Sequence, residues 1–185
     1  MSESGGLRLR GGDSEKPDRR VVLGIDPGTA ITGYGVVSQN GDMLCLLDCG
    51  AIQTPAGMPL AQRLQALHSS LAQLLDRWRP TEAAVEELFF SRNARTALAV
   101  GHARGVALLT LAEASVPVSE YTPMQVKQAI VSYGKGTKGQ VQEMVRILLR
   151  LDAVPQPDDA ADAVALAICH LHSSRLSRLL ETSQA

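Results

Sequence analysis

The sequence lacks the features that would place it directly among membrane, secreted or strongly basic proteins. No apolar run approaches the ~20 residues that a membrane-spanning helix needs. The polar, glycine-rich N-terminus contains no apolar segment of a signal peptide, so we expect a cytoplasmic protein without a membrane partner. Cys45, Cys49 and Cys169 lack the paired spacing of a metal site, and we expect buried free thiols.

Positive and negative charges nearly balance over the whole chain, but one segment is locally basic. The formal net charge of −1 argues against a strongly basic nucleic-acid-binding protein. From residue 88 to residue 150, however, there are eight Lys or Arg residues and only three acids, a local charge of +5. Such a bias suits a surface that contacts phosphate groups, although a merely solvated face can carry the same count.

The length of 185 residues allows one domain with a sizeable core. We expect residues 1–19 to be a disordered extension, residues 20–180 a single folded domain and residues 181–185 a tail. Residues 21–26 are predicted to form a buried strand, because four of the first five are Val, Leu or Ile. The turn signal Asn40-Gly41-Asp42 between two apolar runs predicts a hairpin, which makes the first three strands an antiparallel meander.

The rest of the chain alternates helical and strand patterns. Leucines at three- and four-residue steps from Leu60 to Leu75 predict a helix that ends before Pro80. This alternation predicts an α/β fold with a mixed five-stranded sheet flanked by helices. The other elements expected are strands at residues 83–87 and 116–121, helices at residues 93–114, 123–131, 140–151 and 158–180, and a basic, glycine-rich loop at residues 134–139.

Carboxylates recur where apolar strands end and where the last helix begins. Asp26 ends the first strand, and Glu86 lies near the end of a later one. Asp158, Asp159 and Asp162 open the last helix, where the last two are three residues apart and project from one face. Each acid alone also fits a turn, a solvent-facing position or a helix cap. Asp162 fits these alternatives least, because it lies beyond the cap among Ala and Val.

Carboxylates clustered at one edge of a sheet would need cations, because they cannot all stay ionised at close range. Two hard divalent metal ions would stabilise the cluster and suit it to phosphodiester cleavage. One ion activates the attacking water and the other stabilises the leaving oxygen, with the ions ~4 Å apart. We expect Asp26 to bridge the two ions.

Four stretches of the chain resemble the RuvC family of Holliday-junction resolvases, which are ribonuclease-H-like nucleases. They match in order and spacing over roughly residues 21–173: VVLGIDPGTAITGYGVV, AAVEELFFSRNARTALAVGHARGVAL, YTPMQVKQAIVSYGKGTKGQVQ and DDAADAVALAICH. The resemblance implies a ribonuclease-H-like fold and an endonuclease that resolves Holliday junctions in recombination and repair. It implies a catalytic and metal-binding tetrad of Asp26, Glu86, Asp159 and Asp162. Glu87 and Asp158 do not match the family positions and are second choices.

The resemblance also implies the cofactor and the partners. It implies two Mg²⁺ per active site, with Mn²⁺ as a substitute, and four-way junction DNA as the substrate. It further implies a homodimer and the branch-migration proteins RuvA and RuvB. Small residues in the helix through Ala97, Ala99, Gly101, Ala103 and Gly105 would let a partner helix approach, although they could equally pack against the chain's own sheet.

DNA-contacting residues outside the tetrad are implied in the same way. Phe89 corresponds to an aromatic residue near the junction centre that stacks on an unpaired base. Either Phe89 or Phe90 could instead belong to the core. Lys127 and Lys138 match basic residues near the scissile phosphate, although single lysines are commonly plain surface charges. Further phosphate-contact candidates in the basic segment are Lys135 and Arg92.

Two other functions fit parts of the sequence. The stretch GIDPGT also resembles the first phosphate loop of actin-like ATPases and kinases, but a second lobe, a second phosphate loop and an adenosine motif are missing. A non-catalytic DNA-binding module of the same fold is the other alternative, which the four retained carboxylates disfavour. His170 and His172 lie late in the last helix and are expected to be structural.

Overall fold

The structure, a computed structural model, describes residues 19–87, 94–131 and 136–182. The secondary-structure elements of these residues follow the predicted order of three strands and then alternating helices and strands. In chain order they are β1 (Arg20–Asp26), β2 (Ile31–Asn40), β3 (Met43–Gln53), α1 (Leu60–Trp78), β4 (Glu82–Glu86), α2 (Ala94–Glu113), β5 (Val118–Tyr121), α3 (Pro123–Val131), α4 (Lys138–Leu148) and α5 (Asp158–Thr182).

The strands form one mixed five-stranded sheet in the order β3-β2-β1-β4-β5. β1, β2 and β3 are an antiparallel meander, and β4 runs parallel to both β1 and β5. Gly41 has a φ of 59° in the β2–β3 turn, a left-handed conformation that glycine adopts without a steric penalty. The predicted mixed sheet and its antiparallel first half are confirmed.

The two faces of the sheet carry different helices because side chains alternate along each strand. From β1, Leu23 and Ile25 belong to a buried cluster with Leu71 of α1 and Ala107 of α2. Val22, on the opposite face of β1, belongs to a second cluster built mainly from α3, α4 and α5. Asp26 is four residues after Val22 on β1, so its side chain lies on this second face of the sheet.

α5 packs closely on the strands, because glycines on the sheet face the backbone of the helix. A Cβ on Gly24 would come 1.9 Å from the carbonyl oxygen of Ala163, and one on Gly35 would come 2.5 Å from the Val164 side chain. Ala160, Ala163 and other small side chains of α5 are completely buried in this contact. The close approach brings the first turns of α5 to the ends of β1 and β2.

Two local predictions were wrong. Lys138 and Gly139 are not part of a loop but open α4, because the Thr137 side chain accepts a hydrogen bond from the Gln140 backbone and caps the helix. Of the cysteines, only Cys169 is buried; Cys45 is exposed and Cys49 half-buried, because β3 is an edge strand. All three thiols are free, as predicted.

Other predictions fall where the structure makes no statement. The proposed extension at residues 1–19 lies outside the described residues except for residue 19, and the tail at residues 181–185 lies outside them from residue 183. Within the described residues, no helix is both long and apolar enough to cross a membrane.

Candidate active site

Asp26 and Glu86 lie side by side at the carboxyl ends of two parallel strands. The register of β1 and β4 pairs Ile25 with Val85, and the two acids are the next residues on each strand. Their side chains are joined by a hydrogen bond. The pair thus forms by parallel strand pairing of β1 and β4.

α5 brings two further acids to this pair. Gly33 is the β2 partner of Asp26, and a Cβ on Gly33 would come 2.0 Å from the carbonyl oxygen of Asp159. Asp159 therefore lies over β2, beside the end of β1. Asp162 follows three residues later on the same face of α5. The predicted tetrad consequently meets at one edge of the sheet, from three segments far apart in sequence.

The negative charges of the neighbouring acids act on Asp26 and Glu86. Burial is the main reason that the pKa of Asp26 is raised to about 8, and Glu86, Asp162 and Asp159 contribute through their negative charges. Burial also raises the pKa of Glu86, again helped by the charge of Asp162. These acids destabilise each other as anions, which is the condition under which a bound cation is most favourable.

Lys138 and Lys127 lie at the same edge. Lys138 Nζ is 2.8 Å from Asp162 Oδ2 and 3.4 Å from Asp158 Oδ2. Both lysines line a cleft of about 200 Å³ between α3, α4 and α5, together with Glu86 and Asp162. Its walls are otherwise apolar, formed by Pro123, Val126, Val141, Ala165 and Leu166. The cleft is therefore lined both by carboxylates and ammonium groups and by aliphatic side chains.

Comparison with known proteins decides the family. The family model for crossover junction endodeoxyribonuclease RuvC matches residues 22–170. The RuvC of Thermomicrobium roseum is 56% identical over 158 residues, covering 85% of this chain and 96% of that protein. The chain belongs to the RuvC family. All four acids of the site lie within the matched range.

Solved structures of the RuvC family agree with the fold. The Thermus thermophilus RuvC structure superposes with a TM-score of 0.80 at 41% identity, covering 85% of this chain and 96% of that one. A second structure holds T. thermophilus RuvC in complex with a Holliday junction substrate. It superposes with a TM-score of 0.78 at 40% identity, covering 84% and 96% of the two chains. The ribonuclease-H-like architecture expected from the sequence is confirmed.

The donor chemistry of this RuvC-family site fits divalent metal ions. Asp26, Glu86, Asp159 and Asp162 offer only carboxylate oxygens, the ligands that Mg²⁺ and Mn²⁺ prefer. Among the described residues, no three His, Cys, Asp or Glu side chains form a group that could hold a metal ion as they stand. The hydrogen bond between Asp26 and Glu86 and the ion pair of Asp162 with Lys138 occupy three of the four carboxylates instead.

The remaining residues predicted for the site are the other DNA-contacting candidates and the second-choice acids. Phe89, Phe90, Arg92 and Lys135 lie outside the described residues. Among the second choices, Glu87 is exposed just after β4. Asp158 forms an ion pair with Lys138, which in turn contacts the tetrad member Asp162.

Sequence reasoning missed a second polar cluster at the opposite end of β1 and β4. Arg20 donates two hydrogen bonds to Glu82, at 2.8 and 2.7 Å, and a third to the Ser174 hydroxyl. The Nε2–H of His170 donates to Glu82 (2.7 Å), and the Tyr121 hydroxyl lies 2.9 Å from His170 Nδ1. This cluster ties α5 to the strands and confirms that His170 is structural. One feature of the sequence could have revealed this cluster. Side chains alternate between the two faces of a strand, so Arg20 lies on the same face of β1 as Asp26, and Glu82 on the same face of β4 as Glu86.

Proposed function

We propose that this chain is a structure-selective DNA endonuclease that resolves Holliday junctions by metal-assisted hydrolysis of phosphodiester bonds. The convergence of Asp26, Glu86, Asp159 and Asp162 at one edge of the sheet carries the proposal. Membership of the RuvC family and the likeness to the T. thermophilus complex with a Holliday junction substrate support it. The nuclease extends over residues 20–180 as a single domain and acts in the cytoplasm, in DNA recombination and repair.

The four acids are the proposed catalytic residues and ligands of two Mg²⁺ ions, with Mn²⁺ as a substitute. The bound ions would supply an activated water and stabilise the leaving oxygen of the cleaved strand. The raised pKa values of Asp26 and Glu86 support this assignment, because burial and mutual repulsion make the unpaired anions costly there. The strands and α5 fix the positions of the acids, so hydrolysis needs no large rearrangement of the backbone.

The basic residues near the acids are the proposed contacts for the DNA backbone. Lys127 and Lys138 line the cleft beside Glu86 and Asp162, where a phosphate group next to the scissile bond would lie. Lys135 and Arg92 extend the same basic segment of the sequence. Phe89 is the proposed stacking residue at the junction centre. Binding should weaken as the salt concentration rises, because phosphate contacts release counterions.

The proposed active enzyme is a homodimer, since two strands must be cut at symmetry-related positions and each chain carries one tetrad. Exposed residues of α2 support this arrangement: Leu98 and Leu109 are 65% and 55% exposed, and Gly105 faces open space. Ala103, in contrast, is buried in the chain's own core. RuvA and RuvB are the proposed partners that deliver the junction.

A cleavage assay tests the proposal. Synthetic four-way junctions and linear duplexes of the same sequence are incubated with the protein, with and without Mg²⁺. We expect paired nicks on opposing strands of the junction, only with the metal, and little cutting of the duplex. Equal cutting of both substrates, or cutting without added metal in the presence of a chelator, would contradict the proposal.

A further inference from the structure

Lys138 bridges two acids of α5, of which only one belongs to the proposed tetrad. Its ammonium group lies 2.8 Å from Asp162, a tetrad member, and 3.4 Å from Asp158, which is not. The two acids are four residues apart and therefore adjacent on one helix face. An ammonium group has three donors, so it can serve both carboxylates at once. The Asp162 carboxylate thus already has a cation.

The position of Lys138 in its own helix is unfavourable, which suggests that the acids hold it there. It is the first residue of α4, where the helix dipole disfavours a positive charge, and the first turn contains no acid. The capping box between Thr137 and Gln140 fixes the start of the helix at this residue. The lysine therefore starts from a fixed backbone position opposite the first turns of α5.

Lys127 provides a contrast within the same cleft. It also lines the cleft beside Glu86 and Asp162. In the part of the chain that the structure describes, however, it forms no ion pair with a carboxylate. A metal ion that binds Asp162 through Oδ2 therefore competes with Lys138 but can leave Lys127 in place.

We propose that Lys138 is an internal counter-cation for Asp162 that a divalent metal ion displaces, and that Asp158 is the positioning residue that retains the displaced ammonium group. This inference rests on the proposed metal site and adds an order of events to it. Before metal binds, the ammonium group neutralises Asp162. After metal binds, Asp158 keeps the ammonium group one helical turn away, beside the cleft where we place the DNA backbone.

The affinity of the DNA-free protein for Mn²⁺ tests the displacement. Free Mn²⁺ is measured by electron paramagnetic resonance during titration of the protein with the metal alone. Because the competing cation is gone, Lys138→Met should bind Mn²⁺ roughly 3- to 10-fold more tightly than wild type. Lys138→Arg keeps the charge and should stay near the wild-type affinity. Lys127→Met removes the same charge from the same cleft and should change the affinity less than about twofold, since solvent and salt screen it.

The role of Asp158 is tested by the same titration in two backgrounds. In the wild-type background, Asp158→Asn should weaken Mn²⁺ binding, because Lys138 then pairs with Asp162 alone. In the Lys138→Met background the same substitution should have a clearly smaller effect, since no lysine remains to be retained. An equal effect in both backgrounds would show that Asp158 acts only through its own charge and would overturn its positioning role.

The outcomes separate this inference from the proposed function. If Asp26→Asn binds Mn²⁺ as wild type does, the metal ion is not at the tetrad, and the proposed metal site itself is wrong. If Asp26→Asn weakens binding but Lys138→Met and Lys127→Met behave alike, the metal site stands and the displacement is overturned. Thermal unfolding of each variant without metal shows whether a changed affinity reflects a changed fold.

Discussion

At the scale of single residues, the two ends of β1 and β4 differ in how their charged side chains are paired. Arg20 and Glu82 meet as a cation and an anion, and the hydrogen bonds from Arg20 and then His170 lower the pKa of Glu82 to about 2. At the other end Asp26 and Glu86 meet as two acids, and burial raises both pKa values. The first pair stabilises the fold, whereas the second is a stability cost that suits a cation-binding site.

We expect Glu82→Gln to destabilise the protein by about 2–4 kcal/mol at pH 7, because the buried Arg20 guanidinium loses its anion. Since the folded-state pKa lies below the ordinary value of 4.5, this stability is fully present above pH 4.5 and is lost as the pH falls towards 2. Urea unfolding at pH 7, 4 and 3 should therefore show the gap between the two proteins shrinking. Glu143→Gln, in the exposed pair with Arg146, is the control and should have little effect at any of these pH values. A gap that does not depend on pH would contradict the account.

At the scale of elements, the sequence predicts helices and turns that are set by neighbouring residues, but not features that depend on long-range pairing. The leucine spacing gave α1 and the Asn-Gly-Asp signal gave the β2–β3 turn, both close to their observed positions. The start of α4 was also readable, since Thr137 and Gln140 have the spacing of a capping box, but the flanking glycines favoured a loop. β3 runs to Gln53, well beyond its apolar run, because pairing with β2 extends it, and such long-range pairing leaves no local pattern.

The same distinction applies to the candidate site. That acids meet at one edge of the sheet could be expected, because they stand at strand and helix ends. The choice of Glu86 over Glu87 and of Asp159 over Asp158 came from the family resemblance. The ion pairs of Lys138 could not be predicted, because they depend on how α4 packs against α5. The close packing of α5 on the sheet was also not predictable, since glycines such as Gly24 do not reveal from sequence which backbone they approach.

Gly24→Ala tests the importance of this close packing. The added methyl group would lie 1.9 Å from the carbonyl oxygen of Ala163, so α5 must move away from β1. We expect a loss of roughly 1–3 kcal/mol or more in the free energy of unfolding, together with slower cleavage because Asp159 and Asp162 move with the helix. Gly57→Ala, whose added methyl group would meet open space, should leave both quantities nearly unchanged. Wild-type stability of the Gly24 variant in urea would contradict the described packing.

At the scale of the whole molecule, the two faces of the sheet have different proposed roles, DNA cleavage on one and assembly on the other. One face of the sheet carries α3, α4 and α5 with the acids and the cleft, and the other carries α1 and α2. The outer side of α2 presents exposed leucines away from the acids. Assembly through this side would leave the proposed DNA-binding surface of each chain free.

Leu109→Glu tests the proposed homodimer. A charge buried at the proposed interface should weaken association at least about 30-fold, the loss typical of a hot-spot residue. Light scattering at micromolar concentrations should then report a monomer, while wild type reports a dimer. Ile147→Glu, at a similarly exposed leucine-sized residue of α4, is the control and should remain a dimer. A monomeric wild type that makes both cuts in a junction would refute the assembly.

The most direct test of the central claim compares cleavage and binding in four conservative variants of the tetrad. Asp26→Asn, Glu86→Gln, Asp159→Asn and Asp162→Asn each remove one carboxylate charge with little change in volume. Single-turnover cleavage of a synthetic four-way junction in Mg²⁺ should fall at least about 100-fold in each variant, because a metal ligand is lost. Junction binding measured by fluorescence anisotropy in Ca²⁺ should stay close to that of wild type. A variant that cuts at nearly the wild-type rate would remove its residue from the tetrad, and loss of cleavage that only follows loss of binding would contradict the catalytic assignment.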